Sequence, residues 1–73
     1  MDNINVLKIK LMTYSVQLYD QTTDKKLEII HINNTINLDD NDENFTELFE
    51  QELLINKLNE TKYNIDEIYY SIL

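Results

Sequence analysis

The side chains of this 73-residue chain best suited to bind another molecule are its carboxylates, which concentrate in its second half. Residues 1–38 carry four acidic groups and four lysines, whereas residues 39–73 carry ten acidic groups and two lysines. The formal net charge of −8 at pH 7 therefore belongs to the second half. A neutral half joined to an anionic half predicts a scaffold that displays a negatively charged surface.

The spacing of three glutamates indicates what such a surface could bind. Glu43, Glu47 and Glu50 lie three or four residues apart, which places side chains about 5–6 Å apart along one edge of a helix. Successive phosphates of a DNA strand are spaced a little more widely, and the duplex carries one charge per ~1.7 Å of axis. Carboxylates on a rigid helix can therefore imitate part of a phosphate path. The alternative is a solvated helix face that is acidic for solubility.

We predict a partner-binding surface made of the acidic stretch and extended by two carboxylates near residue 66. Its members are Asp39, Asp40, Asp42, Glu43, Glu47, Glu50, Glu52, Asp66 and Glu67. On this hypothesis, replacing Glu47 and Glu50 by lysine abolishes binding and leaves the fold intact. Nucleic-acid binding by the chain itself is disfavoured, because six lysines, no arginine and a net charge of −8 repel phosphates.

Other kinds of site are disfavoured by the residues. The stretch 39–44 resembles the start of a calcium-binding loop, but Asn44 stands where the sharp turn requires glycine. His31 is the only histidine and the chain has no cysteine, so we expect a satisfied, partly buried imidazole and neither a metal site nor a catalytic one. The absence of glycine excludes glycine-rich phosphate loops. The prediction is a non-enzymatic protein without cofactor or metal.

Alternating apolar residues predict strands in the first half. Residues 13–19 and 26–32 form a hairpin across the polar turn 20–25, and residues 4–11 form a lead-in strand or the start of one bulged strand. Without glycine, any left-handed turn position must be taken by asparagine or aspartate.

Two helices are predicted in the acidic half. Asn44 and Asn64 each precede a glutamate by three residues, which resembles a capping box. The first helix covers about 45–59 and has six residues available for burial: Phe45, Leu48, Phe49, Leu53, Ile55 and Leu58. The second covers about 65–72 and buries Ile65, Ile68, Tyr69 and Ile72. The predicted fold is α+β in a single domain over residues 1–73, with a small antiparallel sheet, a hairpin with or without the lead-in strand, followed by two helices.

The small core also bears on assembly and location. A chain of this size without disulfides often gains stability by forming a homodimer. Adjacent Tyr69 and Tyr70 cannot both be buried in a helix, so one of them is a candidate anchor for a dimer or partner. No apolar run approaches the ~20 residues of a membrane span, and residues 1–3 lack the features of a signal peptide. We therefore expect a cytoplasmic protein.

In length, charge, acidic stretch 39–52 and Asn/Ile-rich composition, the chain resembles small acidic phage-encoded proteins that inhibit host DNA-handling proteins by mimicking DNA. It is most similar to the staphylococcal-phage inhibitors of the DNA polymerase sliding clamp. The resemblance implies that the acidic surface occupies the basic central channel of the clamp in the host cytoplasm and blocks DNA loading and replication. The alternative is a small acidic adaptor or antitoxin-like protein that binds another partner protein.

Overall fold

The computed structural model describes residues 12–73, in which one three-stranded antiparallel sheet packs against one helix. Strand β1 spans Thr13–Asp20, β2 spans Lys26–Asn33 and β3 spans Ile68–Ile72, in the spatial order β2-β1-β3. The predicted hairpin is confirmed, with Val16 opposite Ile30 in its register. The lead-in strand predicted over residues 4–11 lies outside the described residues.

The turn between β1 and β2 shows how the chain manages without glycine. One carboxylate oxygen of Asp20 accepts hydrogen bonds from the backbone N–H groups of Thr22 and Thr23, at 2.8 and 3.1 Å. Asp24 then adopts φ 62°, and Asn37 adopts φ 54° in the connection after β2. The left-handed positions of the described residues therefore fall on aspartate and asparagine, as predicted.

The first predicted helix is confirmed, and we call it α1. It contains an α segment Phe45–Leu48, a π segment Phe49–Leu54 and a second α segment Ile55–Leu58. A π turn bonds residues five apart, so Phe49 and Leu54 come onto one face and both are fully buried. Leu54 was not among the predicted core residues, whereas the predicted Ile55 is only half-buried.

The second predicted helix is wrong. Residues Ile65–Glu67 form one 3-10 turn, and Ile68–Ile72 is strand β3, paired with β1 from Asp20 to Val16. The segment is rich in β-branched and aromatic residues, which favour a strand where an edge is available for pairing. The α+β class therefore comes from three strands and one helix.

The core lies between α1 and one face of the sheet. Apolar side chains of all three strands, the connection after β2 and the helix meet there: Tyr14, Val16, Leu18, Ile30, Ile32, Leu38, Phe49, Leu53, Leu54, Leu58 and Ile68. Tyr70 points to the same face and Tyr69 to the other, because side chains alternate along a strand.

Within residues 12–73, no helix has the length and apolar character to cross a bilayer.

Candidate functional site

The acidic loop Asp39–Asn44 owes its shape to its own carboxylates. The Asp39 side chain accepts a hydrogen bond from the backbone N–H of Asn41 at 2.9 Å, and the Asp42 side chain accepts one from Asn44 at 2.8 Å. The carbonyl of Asp42 then accepts the N–H of Phe45 at 2.9 Å, where α1 begins. Asn44 makes no side-chain cap, so the capping box predicted at Asn44 is wrong and Asp42 shapes the helix start instead.

Buried groups hold this loop against the core. The Asn34 side chain is buried and bonds both the N–H and the carbonyl of Leu38, at 2.9 and 2.8 Å. The Tyr14 hydroxyl donates to a carboxylate oxygen of Asp40 at 2.9 Å, and the Asn34 amide donates to that hydroxyl at 3.4 Å. Burial, followed by the hydrogen bond to Asp40 and its charge, raises the pKa of Tyr14. The Tyr14 phenol therefore stays protonated and remains a hydrogen-bond donor to Asp40. The side chains of Tyr14 and Asn34 thus attach the acidic loop to the core.

We define the acidic end as the loop Asp39–Asn44 together with the first turn of α1 up to Glu47. Glu43 and Glu47 are exposed there, and neither side chain makes a hydrogen bond to another described residue. Their position at the helix N-terminus suits negative charge, because the helix dipole is positive at that end. Considering residues 12–73, the acidic end thus presents two carboxylates without a hydrogen-bond partner beside carboxylates that are held in place.

Two predicted site residues of α1 point away from one another. Glu50 is half-buried and accepts a hydrogen bond from the Tyr70 hydroxyl of β3 at 2.7 Å. Burial, followed by this hydrogen bond and the charge of Glu50, raises the pKa of Tyr70. Glu52 instead lines a cavity of about 220 Å³ with His31, beside β2 at the opposite edge of the sheet. Glu50 is therefore a structural group as well as a charge, and the lysine variant proposed at this position would perturb the fold.

Asp66 and Glu67 lie at the other end of the sheet. We define the hairpin end as the turn between β1 and β2 together with residues 61–67. The Glu67 carbonyl accepts the Gln21 N–H at 3.0 Å, which ties the 3-10 turn to the hairpin turn. Six residue-to-residue steps along β1 lead from Tyr14 to Asp20, so about 20 Å separates the two ends. The structure therefore brings together Asp39 to Glu47 and places Asp66 and Glu67 apart from them.

Lysines distinguish the two ends. Lys25 lies in the hairpin turn and Lys26 begins β2 directly after it, and the Lys62 ammonium lies 5.6 Å from the centre of the Tyr63 ring at the same end. Lys57 is in the last turn of α1, about 15 Å along the helix axis from Glu47. It makes the one ion pair among residues 12–73, with Glu60 at 3.6 Å. None of the lysines in the described residues belongs to the acidic end.

His31 is exposed, which corrects the prediction of a partly buried imidazole. The residue lies on the sheet face opposite α1, where its Nδ1 is 3.1 Å from the Ser15 hydroxyl oxygen on the paired strand. Sequence analysis missed this serine partner because the two residues meet only through the strand register. No carboxylate among residues 12–73 makes a hydrogen bond to the imidazole.

The structure also shows an apolar cavity beside the acidic loop that sequence analysis missed. Its volume is about 390 Å³, and its lining comes from the start of the central strand β1, the end of the outer strand β3, the loop and the start of α1: Met12, Thr13, Tyr14, Asp40, Phe45, Ile72 and Leu73. The helix predicted over residues 65–72 gave no indication of this cavity, because Ile72 reaches the cavity only as part of β3. A strand prediction for that segment was the signal that could have found it.

No group of three histidine, cysteine, aspartate or glutamate side chains in residues 12–73 is arranged to hold a metal ion. The arrangement offers fixed and free carboxylates on one end of a small scaffold, which can attract and bind cations of another molecule. No protein-family model matches the chain, and no curated protein or solved structure matches it either.

Proposed function

We propose that the chain is a non-enzymatic inhibitor whose acidic end occupies a basic DNA-binding channel or cleft of a bacterial protein. The observation that carries the proposal is the separation of charge among residues 12–73. Asp39, Asp40, Asp42, Glu43 and Glu47 share one end, and the lysines of the described residues lie at the other end or late in α1. A surface built to bind phosphates attracts such an end over a long range.

The rigidity of the acidic end supports the same function. Asp39 and Asp42 are fixed by hydrogen bonds within the loop, and Asp40 is fixed by Tyr14. Carboxylates that are already in place lose little conformational entropy when a partner binds, so more of the electrostatic attraction appears as affinity. A merely solubilising surface has no need of carboxylates held by buried groups.

The proposed target is the DNA polymerase sliding clamp, which the resemblance described above favours. Its central channel is a basic surface that surrounds duplex DNA. Insertion of the acidic end would block DNA loading and therefore replication in the host cytoplasm. Asp66 and Glu67 could contact the same channel only if the chain lies along it, because they are about 20 Å from the acidic end.

A salt series on the purified clamp tests the proposal. The affinity of the labelled chain for a bacterial sliding clamp is measured by fluorescence anisotropy between 0.1 and about 1 M NaCl, over which the Debye length falls from about 10 to about 3 Å. We expect tight binding at low salt and a steep loss of affinity at high salt. Absence of binding at low salt, or binding that salt leaves unchanged, would contradict the proposal.

A second candidate function rests on the sheet face opposite α1. Tyr19 and Tyr69 stack there with ring centres 4.8 Å apart, and Ile29 and Tyr69 are 46% and 41% exposed. An adaptor or antitoxin-like protein could use this face to bind a partner, and two copies of the chain could form a homodimer through it. Such a complex depends on apolar contacts, so the same salt series would barely weaken it.

A further inference from the structure

The apolar cavity beside the acidic loop has the character of a binding site for a single side chain. Met12, Ile72 and Leu73 are 39%, 36% and 70% exposed, so its apolar walls are open to solvent. Its volume of about 390 Å³ lies near the lower limit of ~300 Å³ for ligand pockets. One charged side chain, that of Asp40, stands among these walls.

Hydrogen bonding holds the Asp40 carboxylate in place through one of its two oxygens. Tyr14 donates to its Oδ1, and Asn34 supports the Tyr14 hydroxyl from the buried side. Its Oδ2 accepts no hydrogen bond from residues 12–73. Asp39 and Asp42 on the same loop add negative charge nearby, so a cation is favoured at this oxygen and an anion is repelled.

We propose that the cavity receives one lysine or arginine side chain of the partner protein, whose charged head binds Asp40. The inference rests on the proposed function for the assumption that the partner surface is basic. The aliphatic stem of either side chain covers apolar walls while its head stays at a polar rim. The rings of Tyr14 and Phe45 in the walls suit a cation, and a charge-assisted hydrogen bond to Oδ2 completes the contact.

A peptide titration tests the cavity without the clamp. The probe is the peptide acetyl-Gly-Arg-Gly-amide, and the control is the same peptide with citrulline, which has nearly the shape of arginine but no charge. Amide chemical shifts of the ¹⁵N-labelled chain are followed by NMR. We expect saturable shifts at Thr13, Tyr14 and Phe45, with a Kd on the order of millimolar, and no such shifts with citrulline.

Two matched variants locate the contact. Asp40→Asn removes one charge but keeps an oxygen acceptor for Tyr14, and Asp42→Asn removes one charge from the same loop outside the cavity and keeps its turn. We expect Asp40→Asn to weaken peptide binding at least about tenfold and Asp42→Asn less than about threefold. A third variant, Met12→Trp, should fill the cavity and abolish binding with all charges present.

Several results would overturn the inference. These are equal weakening by the two asparagine variants, equal binding of the citrulline peptide, or no saturable shift at the cavity with the arginine peptide. If dilution of the protein alone moves the same signals, the occupant is a second copy of the chain and the inference is again wrong. Peptide binding by a chain that fails to bind the clamp would support the cavity and count against the proposed target only.

Discussion

The acidic end and the hairpin end contain the same chemical pair in two settings. At the acidic end the Tyr14 hydroxyl donates to Asp40 at 2.9 Å, and at the hairpin end the Tyr69 hydroxyl donates to Asp24 at 2.9 Å. Tyr14 is 6% exposed and belongs to the core, whereas Tyr69 is 41% exposed. The same hydrogen bond thus anchors a loop to the interior at one end and joins two surface side chains at the other.

The ends also differ in the charges around these pairs. The hairpin end mixes Asp66 and Glu67 with lysines, so its carboxylates are partly neutralised. The acidic end contains no lysine of the described residues and displays Glu43 and Glu47 to solvent. The comparison teaches that a carboxylate contributes to a binding surface through its neighbours and its support, and not through the count of charges in the sequence.

Removing the buried aromatic ring that packs beside the acidic end should have the largest effect on stability. Phe49 is fully buried, and its ring centre lies 5.3 Å from that of Tyr14 and 5.7 Å from that of Phe45. Phe49→Ala should lower the free energy of unfolding by about 3–5 kcal/mol, because it leaves a cavity in the aromatic cluster. Urea unfolding followed by circular dichroism measures this loss. Tyr69→Ala is the matched control on the opposite sheet face and should change the stability little; equal losses would contradict the described core.

Reversing charge at each end separates the two surfaces functionally. Glu43→Lys with Glu47→Lys should weaken binding to the sliding clamp at least about 100-fold, because two carboxylates that face basic groups become repulsive. Asp66→Lys with Glu67→Lys changes the net charge by the same amount at the hairpin end and should weaken binding far less. Both double variants change exposed residues, so both should remain folded. Lysine at Glu43 and Glu47 opposes the helix dipole, so we expect that variant to lose about 0.3–1 kcal/mol of stability per replaced residue.

Equal losses of affinity in the two double variants would show that net charge alone drives binding. A larger loss for the hairpin-end variant would reverse the assignment of the two ends. Either result, measured by anisotropy at 0.1 M salt, contradicts the comparison drawn above.

Removing single hydroxyls sharpens the comparison at a smaller scale. Tyr14→Phe should lower the free energy of unfolding by about 1.5–3 kcal/mol, because a partly buried hydrogen bond to a charged group is lost. Tyr69→Phe removes the corresponding hydroxyl at the exposed pair and should have no measurable effect. The two variants are compared by urea unfolding at pH 7, and an equal effect would show that burial does not distinguish the pairs.

Alkaline pH should reveal a difference in stability between the half-buried Tyr70–Glu50 pair and the exposed Tyr69–Asp24 pair. Phenols ionise near pH 10 in the unfolded chain, and burial together with Glu50 raises the pKa of Tyr70 in the folded chain. Above pH 10 the folded chain therefore binds more protons than the unfolded chain, so stability falls as the pH rises toward the folded pKa. Tyr70→Phe should reduce this decline more than Tyr69→Phe in urea unfolding between pH 8 and about 11.5. Identical declines of stability with pH in the two variants would contradict a special contribution of the Tyr70 hydroxyl.

The sequence predicted those parts of the fold that depend on local pattern. Alternation identified β1 and β2, and the composition identified aspartate and asparagine at the left-handed positions. The helix prediction for residues 65–72 was wrong because their apolar residues fit a helical spacing as well as a strand. Only pairing with the free edge of β1, some 50 residues earlier, decides between the two structures. Pairing between distant segments is a property of the fold that local periodicity does not contain.

The same limit applies to the candidate site. The run of carboxylates was evident, but the hydrogen bond from Tyr70 to Glu50 joins residues 20 positions apart, and that from Tyr14 to Asp40 joins residues 26 apart. These contacts decide which carboxylates are structural and which are free. The sequence therefore predicted the charge of the surface, whereas its division between two ends required the structure.

Competition with duplex DNA shows whether the acidic end occupies the DNA-binding channel of the sliding clamp. The labelled chain is bound to the purified sliding clamp, and a duplex long enough to pass through the channel is added in increasing amounts while anisotropy reports release of the chain. If the acidic end occupies the DNA-binding channel, the duplex should displace the chain completely and the displacement should saturate. A chain that remains bound while the duplex also occupies the clamp would contradict the account.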